Sequence, residues 1–493
     1  MSKFWLPIKS FGSRNCLSTG LRRNAIALVL WLVSVFLIFP NLGNPRAIVF
    51  DETYLIPNAQ SYINGVFFQD SHPPLGRLFI ALGQVIMHPE ASSNEFVDVS
   101  KIEKDWPSNI DIGGYRLFPV IFGSINPVLV FGIVLILTSS EWLSFFAALL
   151  VLFDNALLAQ SRFALPDSGL ITFCLASILC FVWLQFKTNN PKWKEQIVWA
   201  IFGFSASAAF MTKFTGLFVL VVVPFYLYKL WLGNSKKRII EFLIIFGITF
   251  SVFFVLTWEV HFSLLKIPPK NFNNPISELH TQIVIGKYNP NSVERFLIET
   301  QDAYTYMFDY HKNVPTLDLG NPDEIGSPWY YWFFGGRAIP YRWETGSGKI
   351  KIIYLIGNPV TWLISLLGVG GVSASVVADL FFQFLSKIQR QRFYPFFLLY
   401  WVYMLSVAVI PRVMYLYHYL PPMVLGVIMF SLLLVEAKSI SQKTRLGMVV
   451  AFACCLLAAF QIYSPFTYYK EIPIERLQQL NILPVWNLRC PGC

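Results

Sequence analysis

Two adjacent carboxylates follow the first long apolar segment of this 493-residue chain. Asp51 and Glu52 are thereby placed at a membrane surface, where acidic side chains are costly unless they face water or a polar cavity. An acid pair on the outer side of a membrane can take a proton from an acceptor hydroxyl, which is general-base catalysis. The same pair could instead cap the N-terminus of a short helix. We therefore predict that Asp51 and Glu52 are catalytic, with helix capping as the alternative.

Four cations lie at the predicted outer ends of apolar segments, against the bias of basic residues toward the cytoplasmic side. A lipid-linked phosphate would explain them, because Arg binds phosphate with a fork of N–H groups and Lys supplies a mobile point charge. Such cations would stabilise the phosphate that leaves when a sugar is displaced from a lipid phosphosugar. Snorkelling of single side chains to lipid headgroups is the alternative. The predicted phosphate-binding residues are Arg116, Arg162, Lys213 and Arg412.

Further polar and aromatic residues near the same outer ends are candidates for the substrate pocket. Five of them have a structural alternative: a turn before two prolines for His72, polar contacts between helices for Asp154, Asn155 and Gln160, or an interfacial aromatic belt for Trp329. The spacing of His, Cys and carboxylates does not identify a metal site, and no glycine loop for a nucleotide phosphate is present. We expect neither a metal nor another cofactor. The pocket candidates are His72, Asp154, Asn155, Gln160, Asp167, Trp329, Tyr417 and His418.

The composition predicts a polytopic membrane protein. Hydrophobic residues make up 55% of the chain and charged residues 13%, whereas soluble domains have about 45–50% apolar and about 25% charged residues. The excess forms runs of about 18–22 residues, the length of helix that crosses about 30 Å of hydrocarbon. The net charge of +10 does not indicate nucleic-acid binding, because the basic residues fall mostly in short loops between the apolar runs.

The apolar runs predict an all-α protein with about eleven transmembrane helices. Basic residues before the first span and in four loops place the N-terminus in the cytoplasm. The eighth run is too long for one crossing, which predicts a cytoplasmic extension. The glycines at 368–371 within it indicate close helix packing. The spans are predicted at 24–40, 115–137, 142–158, 168–186, 197–211, 214–231, 239–257, 353–384, 394–410, 417–436 and 446–463.

This topology predicts five parts of the chain and two large external loops. We expect Leu75 to Met87 in the first loop to form an amphipathic helix in the membrane interface. A transporter is the alternative from another class of function, but it would show repeat symmetry and broken helices at mid-membrane, which the sequence does not. The parts are a cytoplasmic tail at 1–23, a module at 24–257 that includes the first loop (41–114), the second external loop at 258–352, a module at 353–463 and an external tail at 464–493.

Eight motifs, in order, resemble those of the protein O-mannosyltransferase family. The resemblance covers about residues 45–425. It implies a GT-C glycosyltransferase fold with its catalytic centre on the outer side of the membrane. It also implies transfer of mannose from a polyprenyl- or dolichyl-phosphate to Ser or Thr of exported proteins, with inversion at the anomeric carbon. The motifs are Phe50–Tyr54, Asp70–Leu78, Gly114–Pro119, Asp154–Phe163 with Asp167-Ser168, Thr212–Gly216, Ser327–Trp332, Tyr354–Pro359 and Tyr417–Pro421.

The resemblance also implies roles for individual residues. It makes Asp51 the catalytic acid/base residue and Glu52 a support for it or for the acceptor. Arg116, Arg162 and Lys213 would bind the donor phosphate or structure the site, and His72 with the run 417–419 would shape the pocket. The family is metal-independent, so the lipid-linked sugar is the substrate and no cofactor is implied. The protein export machinery, which delivers acceptor proteins, is an expected partner.

One departure from the family pattern and one related enzyme bear on the substrate. The second external loop has only about ninety-five residues, too few for the soluble β-trefoil insertion of eukaryotic members, so we expect a bacterial form in the plasma membrane. A related aminoarabinose transferase modifies lipid A. Transfer of a sugar to a lipid or glycan acceptor is therefore an alternative to protein mannosylation.

Overall fold

A computed structural model describes residues 13–89, 111–187, 190–268, 276–321, 323–437 and 439–491. These residues form α-helices, short 3₁₀ helices and one small β-sheet. The α-helices are α1 Ser13–Ile38, α2 Glu52–Asn64, α3 Leu75–Met87, α4 Gly113–Thr138, α5 Glu141–Leu152, α6 Asn155–Arg162, α7 Asp167–Phe186, α8 Lys192–Thr212, α9 Val223–Leu232, α10 Lys236–Leu264, α11 Glu278–Val284, α12 Ser292–Asn313, α13 Pro359–Phe382, α14 Lys387–Ala408, α15 Leu420–Glu436, α16 Gln442–Thr467 and α17 Ile474–Leu480.

The shorter elements connect these helices. The strands are β1 Ile339–Gly346, β2 Lys349–Leu355 and β3 Glu471–Pro473. The 3₁₀ helices are Phe214–Val222, Trp329–Phe334, Leu416–Tyr419 and Pro484–Trp486. Two of them run directly into α9 and α15, and each pair forms one long apolar segment.

The helices confirm the prediction of an all-α polytopic membrane protein. Among the described residues, eight helical segments are long and apolar enough to cross a membrane, and nine if α5 and α6 are taken as one span. α8 and α14 add two helices of 21 and 22 residues that begin with charged or polar side chains. Each of the eleven predicted spans overlaps one or two of these helices. The amphipathic stretch Leu75–Met87 is helix α3.

The third predicted span is broken rather than continuous. α5 and α6 meet at a bend of 58°. Asp154 at the break accepts hydrogen bonds from the backbone N–H groups of Leu157 and Asn358, both at 2.9 Å. The Asn155 amide donates to Thr467 Oγ1 at 3.0 Å. A break in a membrane helix frees backbone groups that lipid cannot satisfy, so polar side chains must satisfy them. Asp154 and Asn155 anchor this break, and their predicted place in the pocket stays a prediction.

The eighth predicted span contains a strand as well as a helix. Residues 353–355 belong to β2. α13 begins at Pro359, and the side chain of its N-cap, Asn358, accepts a hydrogen bond from the N–H of Val360. The prediction of a cytoplasmic extension is therefore wrong, because the excess apolar residues precede the helix. Consecutive β-branched isoleucines in β2 favour a strand, and hydropathy alone does not distinguish them from helix.

The strands form an antiparallel sheet in the order β1-β2-β3, which was not predicted. The sheet packs with α17 and neighbouring residues into a small hydrophobic cluster of its own. The register between β1 and β2 shifts between Pro340 and Arg342, and Tyr341 lies at this irregularity. The backbone oxygen of Tyr341 accepts a hydrogen bond from Phe50 N–H at 3.2 Å. The hairpin therefore contacts the loop that carries Asp51.

α13 and α15 approach each other at glycines, as predicted for residues 368–371. A Cβ atom at Gly368 would lie 2.1 Å from the backbone oxygen of Gly426, whereas one at Gly370 would meet nothing within 4 Å. Small residues let membrane helices pack backbone to backbone. The close approach fixes α15 and the 3₁₀ helix before it, which carries Tyr417 and His418.

These two glycines give a matched pair of variants. Gly368→Ala should lower the free energy of unfolding by about 1–3 kcal/mol, because an overpacked helix contact must shift. Gly370→Ala should leave stability unchanged or raise it by up to about 1 kcal/mol, because Ala is the better helix former. Thermal unfolding of the detergent-purified variants measures the difference. Equal melting temperatures would contradict the packing described here.

Candidate active site

Asp51 presents an unpartnered carboxylate next to the N-terminus of α2. It occupies the N-cap position, but its side chain makes no capping hydrogen bond. Among the described residues, no group donates to or pairs with this carboxylate. Burial raises the pKa of Asp51 to about 6, and the positive charge of Lys213 opposes that shift. A carboxylate with these properties is suited to general-base chemistry, and the helix-cap alternative does not fit it.

Glu52, the other half of the predicted pair, points into the protein interior. Its carboxylate and the Arg116 guanidinium form a bidentate ion pair, with Nε–Oε1 and Nη2–Oε2 distances of 2.8 Å. Neither side chain is exposed. The backbone N–H groups of Val49 and Ala164 donate to the same carboxylate at 2.9 and 2.7 Å. Each oxygen thus has two donors. The prediction of a catalytic Glu52 does not fit this geometry, because the group has no free lone pair facing the site.

Two of the four predicted phosphate-binding cations use their guanidinium groups to hold nearby backbone segments. Arg116 and Arg162 both donate to backbone carbonyls of the segment around the C-terminal end of α1. With the contacts to Glu52, all three nitrogens of the Arg116 guanidinium are occupied. The prediction that Arg116 binds the donor phosphate therefore does not fit, whereas Arg162 keeps its Nε without a partner among the described residues and its role in phosphate binding stays a prediction. The acceptors are the carbonyls of Leu42, Pro45 and Ala47 for Arg116 and of Ile38 and Pro40 for Arg162.

Lys213 remains beside the unpartnered acid, in a chain of buried polar contacts. Its ammonium group lies 2.7 Å from Asp167 Oδ1. The Gln160 amide donates to the other oxygen of Asp167 at 2.8 Å. The hydroxyl of Tyr341 donates to the carbonyl of Gln160. Three predicted residues from α6, α7 and the end of α8 are thus brought together, and β1 adds a fourth that was not predicted.

Aromatic contacts close this chain into a ring. Lys213 Nζ lies 4.9 Å from the centroid of the Tyr417 ring. Phe50 lies between the two tyrosines: its ring stacks on Tyr341 at a centroid distance of 4.3 Å and meets Tyr417 edge-on at 6.0 Å. We call the six residues Phe50, Tyr341, Gln160, Asp167, Lys213 and Tyr417 the contact ring. It joins segments from five parts of the chain next to Asp51.

Arg412 is the fourth predicted cation, and it retains donor capacity. It is half-buried, and Nη1 donates to the backbone oxygen of Val413 at 3.2 Å. Among the described residues no carboxylate pairs with it. Burial, with a smaller contribution from the charge of Arg412, lowers the pKa of His311 to about 4. An arginine without an acidic partner can bind an anion with its free N–H groups.

The predicted His72 lies beside His311 of α12, with ring centroids 5.5 Å apart. Burial, with the charges of Lys213 and Arg77, holds the pKa of His72 well below its ordinary value. Its buried Nδ1 atom has no hydrogen-bond partner among the described residues. At neutral pH both imidazoles are therefore uncharged, and His72 offers a ring nitrogen rather than a positive charge.

The remaining predicted aromatic residues differ in position. His418 stacks between Tyr417, at 4.4 Å, and Trp332, at 6.1 Å. Trp329 makes ring contacts only with Tyr330 and Phe333 among the described residues. The structure thus brings Tyr417 and His418 to the contact ring, whereas Trp329 lies apart from it.

Sequence reasoning missed residues that support the site. Asp70 and Arg77 form a buried ion pair, and Asp70 also accepts hydrogen bonds from Asn58 and from His72 N–H. Both residues lie in the motif Asp70–Leu78, so two opposite charges within one family motif were the signal that could have indicated them. Tyr341 had no such signal, because it belongs to a hairpin far away in sequence.

Among the described residues, no group of three or more His, Cys, Asp or Glu side chains could hold a metal ion.

Two family models match this chain over most of its length. Residues 28–267 match the dolichyl-phosphate-mannose-protein mannosyltransferase model. Residues 299–486 match the model of the C-terminal four-transmembrane-helix region of protein O-mannosyltransferase. The chain belongs to the protein O-mannosyltransferase family. The matched residues include the contact ring and the Glu52–Arg116 pair.

Relatives with this name are similar over part of their length. Mouse protein O-mannosyl-transferase 1 is 34% identical over 185 residues, which are 37% of this chain and 24% of the mouse protein. Dolichyl-phosphate-mannose–protein mannosyltransferase 6 of Candida albicans is 26% identical over 267 residues, 48% of this chain and 32% of the fungal protein. The aligned part thus spans less than a third of either relative.

Solved structures extend the similarity in fold to nearly the whole chain. The Pmt1-Pmt2 complex of S. cerevisiae, bound to the sugar donor, has a TM-score of 0.82 at 15% identity, covering 95% of this chain and 93% of the yeast chain. The oligosaccharyltransferase AglB of Archaeoglobus fulgidus has a TM-score of 0.51 at 10% identity, covering 92% and 56%. These neighbours confirm the GT-C fold for this member of the family.

The two adjacent acids should respond differently to loss of charge. Glu52→Gln leaves the Arg116 guanidinium buried without its counter-charge, so the free energy of unfolding should fall by about 3–5 kcal/mol. Asp51→Asn removes a charge that has no partner, so stability should be unchanged or slightly higher. Thermal unfolding in detergent, with the yield of folded protein, tests this. A destabilised Asp51→Asn beside an unaffected Glu52→Gln would contradict the assignment.

Proposed function

We propose that this protein is a membrane glycosyltransferase that moves mannose from a polyprenyl-phosphate donor to Ser or Thr hydroxyls of exported proteins. The observation that carries the proposal is the Asp51 carboxylate, unpartnered among the described residues, next to the positive charge of Lys213. Membership of the protein O-mannosyltransferase family supports the choice of sugar and donor. The yeast complex of similar fold was solved bound to its sugar donor, and the description of the matching family model names dolichyl-phosphate mannose, which supports a lipid-linked donor.

In the proposed reaction, Asp51 acts as general base. Its carboxylate accepts the proton of the acceptor hydroxyl while the hydroxyl oxygen forms a bond to the anomeric carbon. The bond between that carbon and the phosphate oxygen breaks, and the electron pair leaves with the lipid phosphate. A single displacement of this kind inverts the configuration at the anomeric carbon. A carboxylate whose pKa is near 6 is ionised at neutral pH and is still basic enough to take the proton.

Arg412 and Lys213 are the cations that we assign to the leaving phosphate. Arg412 has free N–H groups and no acidic partner among the described residues, while Lys213 shares its charge between Asp167 and Asp51. Fixed cations at the position where negative charge develops lower the barrier without reorganisation. His72 would donate or accept a hydrogen bond to the sugar through its unpartnered Nδ1. Arg116 and Arg162 support the fold around them.

The proposed topology places the reaction outside the cytoplasm. Basic residues before α1 and in the loops on the same side place the N-terminus in the cytoplasm, following the positive-inside rule. Asp51, two predicted loops and the C-terminal tail then lie on the outer side of the plasma membrane. Acceptor proteins would reach this side through the protein export machinery, and the lipid carrier would deliver the activated sugar without a nucleotide.

The raised pKa of Asp51 predicts a pH dependence. The base must be ionised, so the transfer rate should reach half its maximum near pH 6, the value to which burial raises the pKa. Below that pH the rate should fall by about tenfold per unit, as for one protonating group. Initial rates between pH 4.5 and 8 in vesicles, corrected for stability, would measure this. A flat profile down to pH 4.5 would contradict a base with a raised pKa.

Transfer of radiolabel from polyprenyl-phosphate mannose to a Ser/Thr peptide tests the function itself. Asp51→Asn should reduce transfer by at least about 10²-fold, the lower range of general-base contributions. Asp309→Asn is the matched control, because Asp309 is an exposed acid on α12. Label that reaches only a lipid or glycan would replace the protein acceptor. Undiminished transfer in Asp51→Asn would remove Asp51 from the mechanism. Transmembrane movement of the lipid without any transfer would favour a transporter.

A further inference from the structure

The residue before Asp51 has an unusual backbone conformation. Phe50 has a φ angle of +48°, in the left-handed region that L-residues with a Cβ atom rarely occupy. The backbone N–H of Glu52 donates to the Val49 carbonyl at 3.0 Å, so residues 49–52 form a tight turn with Phe50 and Asp51 at its centre. Glycine is the usual residue where such a turn requires positive φ. A phenylalanine there must be held by its surroundings.

The contacts of Phe50 explain how the turn is held. Its ring stacks on Tyr341 with an interplanar angle of 10° and meets Tyr415 and Tyr417 edge-on. Its N–H donates to the Tyr341 carbonyl at 3.2 Å. One residue is thus fixed to β1 through both its backbone and its side chain. On the other side of the turn, the bond from Val49 N–H to the Glu52 carboxylate provides a second anchor.

Asp51 lies between these anchors, and among the described residues no hydrogen bond or ion pair holds its carboxylate. Its direction is therefore set by the backbone of the turn. We propose that Phe50 is a positioning residue for catalysis, whose clamped ring and left-handed backbone aim the Asp51 carboxylate at the acceptor hydroxyl. This inference rests on the proposed function. It assigns the Phe50 ring to orientation of the base rather than to binding of the donor.

Three substitutions distinguish the effect of the Phe50 ring from the effect of its backbone conformation. Phe50→Tyr keeps both the stacking ring and the Cβ atom, Phe50→Leu loses the ring, and Phe50→Gly loses the ring and permits positive φ freely. Small displacements of a catalytic group can cost about 10²-fold in rate. We therefore expect kcat to fall by about that factor in Phe50→Leu and Phe50→Gly, and to stay within a few-fold of the parent in Phe50→Tyr. The KM for polyprenyl-phosphate mannose should not change.

The pH profile distinguishes positioning from a general loss of structure. Release of the turn exposes Asp51 to water, so the midpoint of the rate profile should move from near pH 6 toward that of an ordinary aspartate. Phe118→Leu, which removes a half-buried ring packed on Phe79 and Phe122, is the control for loss of an aromatic side chain elsewhere. It should lower the melting temperature without moving the pH midpoint. Phe50→Tyr should keep the parent midpoint.

The outcomes separate this inference from the proposed function. Loss of transfer in Asp51→Asn, with parental kcat and pH midpoint in Phe50→Leu and Phe50→Gly, would overturn the inference and leave the function intact. A fall in kcat matched by the Phe118→Leu control, with no shift in midpoint, would also overturn it. If Phe50→Gly does not fold, the comparison of kcat and pH midpoint between Phe50→Leu and Phe50→Tyr is sufficient to test the inference. Full transfer in Asp51→Asn would instead reject the catalytic site on which the inference rests.

Discussion

The buried ion pair between Glu52 and Arg116 is the constraint on which the geometry of this protein depends. It joins α2 to α4, and through Arg116 it also holds the segment that follows α1. The N–H of Ala164 ties the same carboxylate to the connection between α6 and α7. A buried charge without its partner is strongly destabilising, so these elements must meet there. With Glu52 fixed inward, the preceding residue Asp51 is left facing the site.

Some charged groups of the site make all the hydrogen bonds they can, and others keep free donors or acceptors. This difference separates groups that hold the fold from groups that are available to a substrate. Glu52 and Arg116 have all their hydrogen bonds and serve the fold. Within the part of the chain that the structure describes, Asp51 and Arg412 do not, and a partly buried charge of this kind is a candidate for binding ligand atoms or exchanging protons. Lys213 belongs to both groups, because Asp167 anchors it and Asp51 feels its charge. The contact ring keeps these groups in place with aromatic and hydrogen-bonding contacts rather than with further charge.

Membrane insertion made much of the fold predictable. The length of an apolar run fixes whether it can cross hydrocarbon, so the positions of the helices could be read from the chain. Two details could not. The break between α5 and α6 depends on Asn358 and Thr467, which lie about two hundred residues or more away in sequence. The hairpin β1–β2 also escaped notice, because its isoleucines have the hydropathy of a membrane helix.

The sequence by itself determined the membrane class, the helices and the family, because hydropathy and motif order are properties of short local stretches. It also placed acids and cations near the ends of the predicted spans. Only the tertiary structure decided which of them are free to act. Satisfaction of a charge depends on donors and acceptors from other segments. Arg116, Ala164 and Val49 together supply the four donors to Glu52. Carbonyls that follow α1 occupy the rest of Arg116, and Tyr341 holds the turn that contains Asp51. No local pattern encodes these contacts.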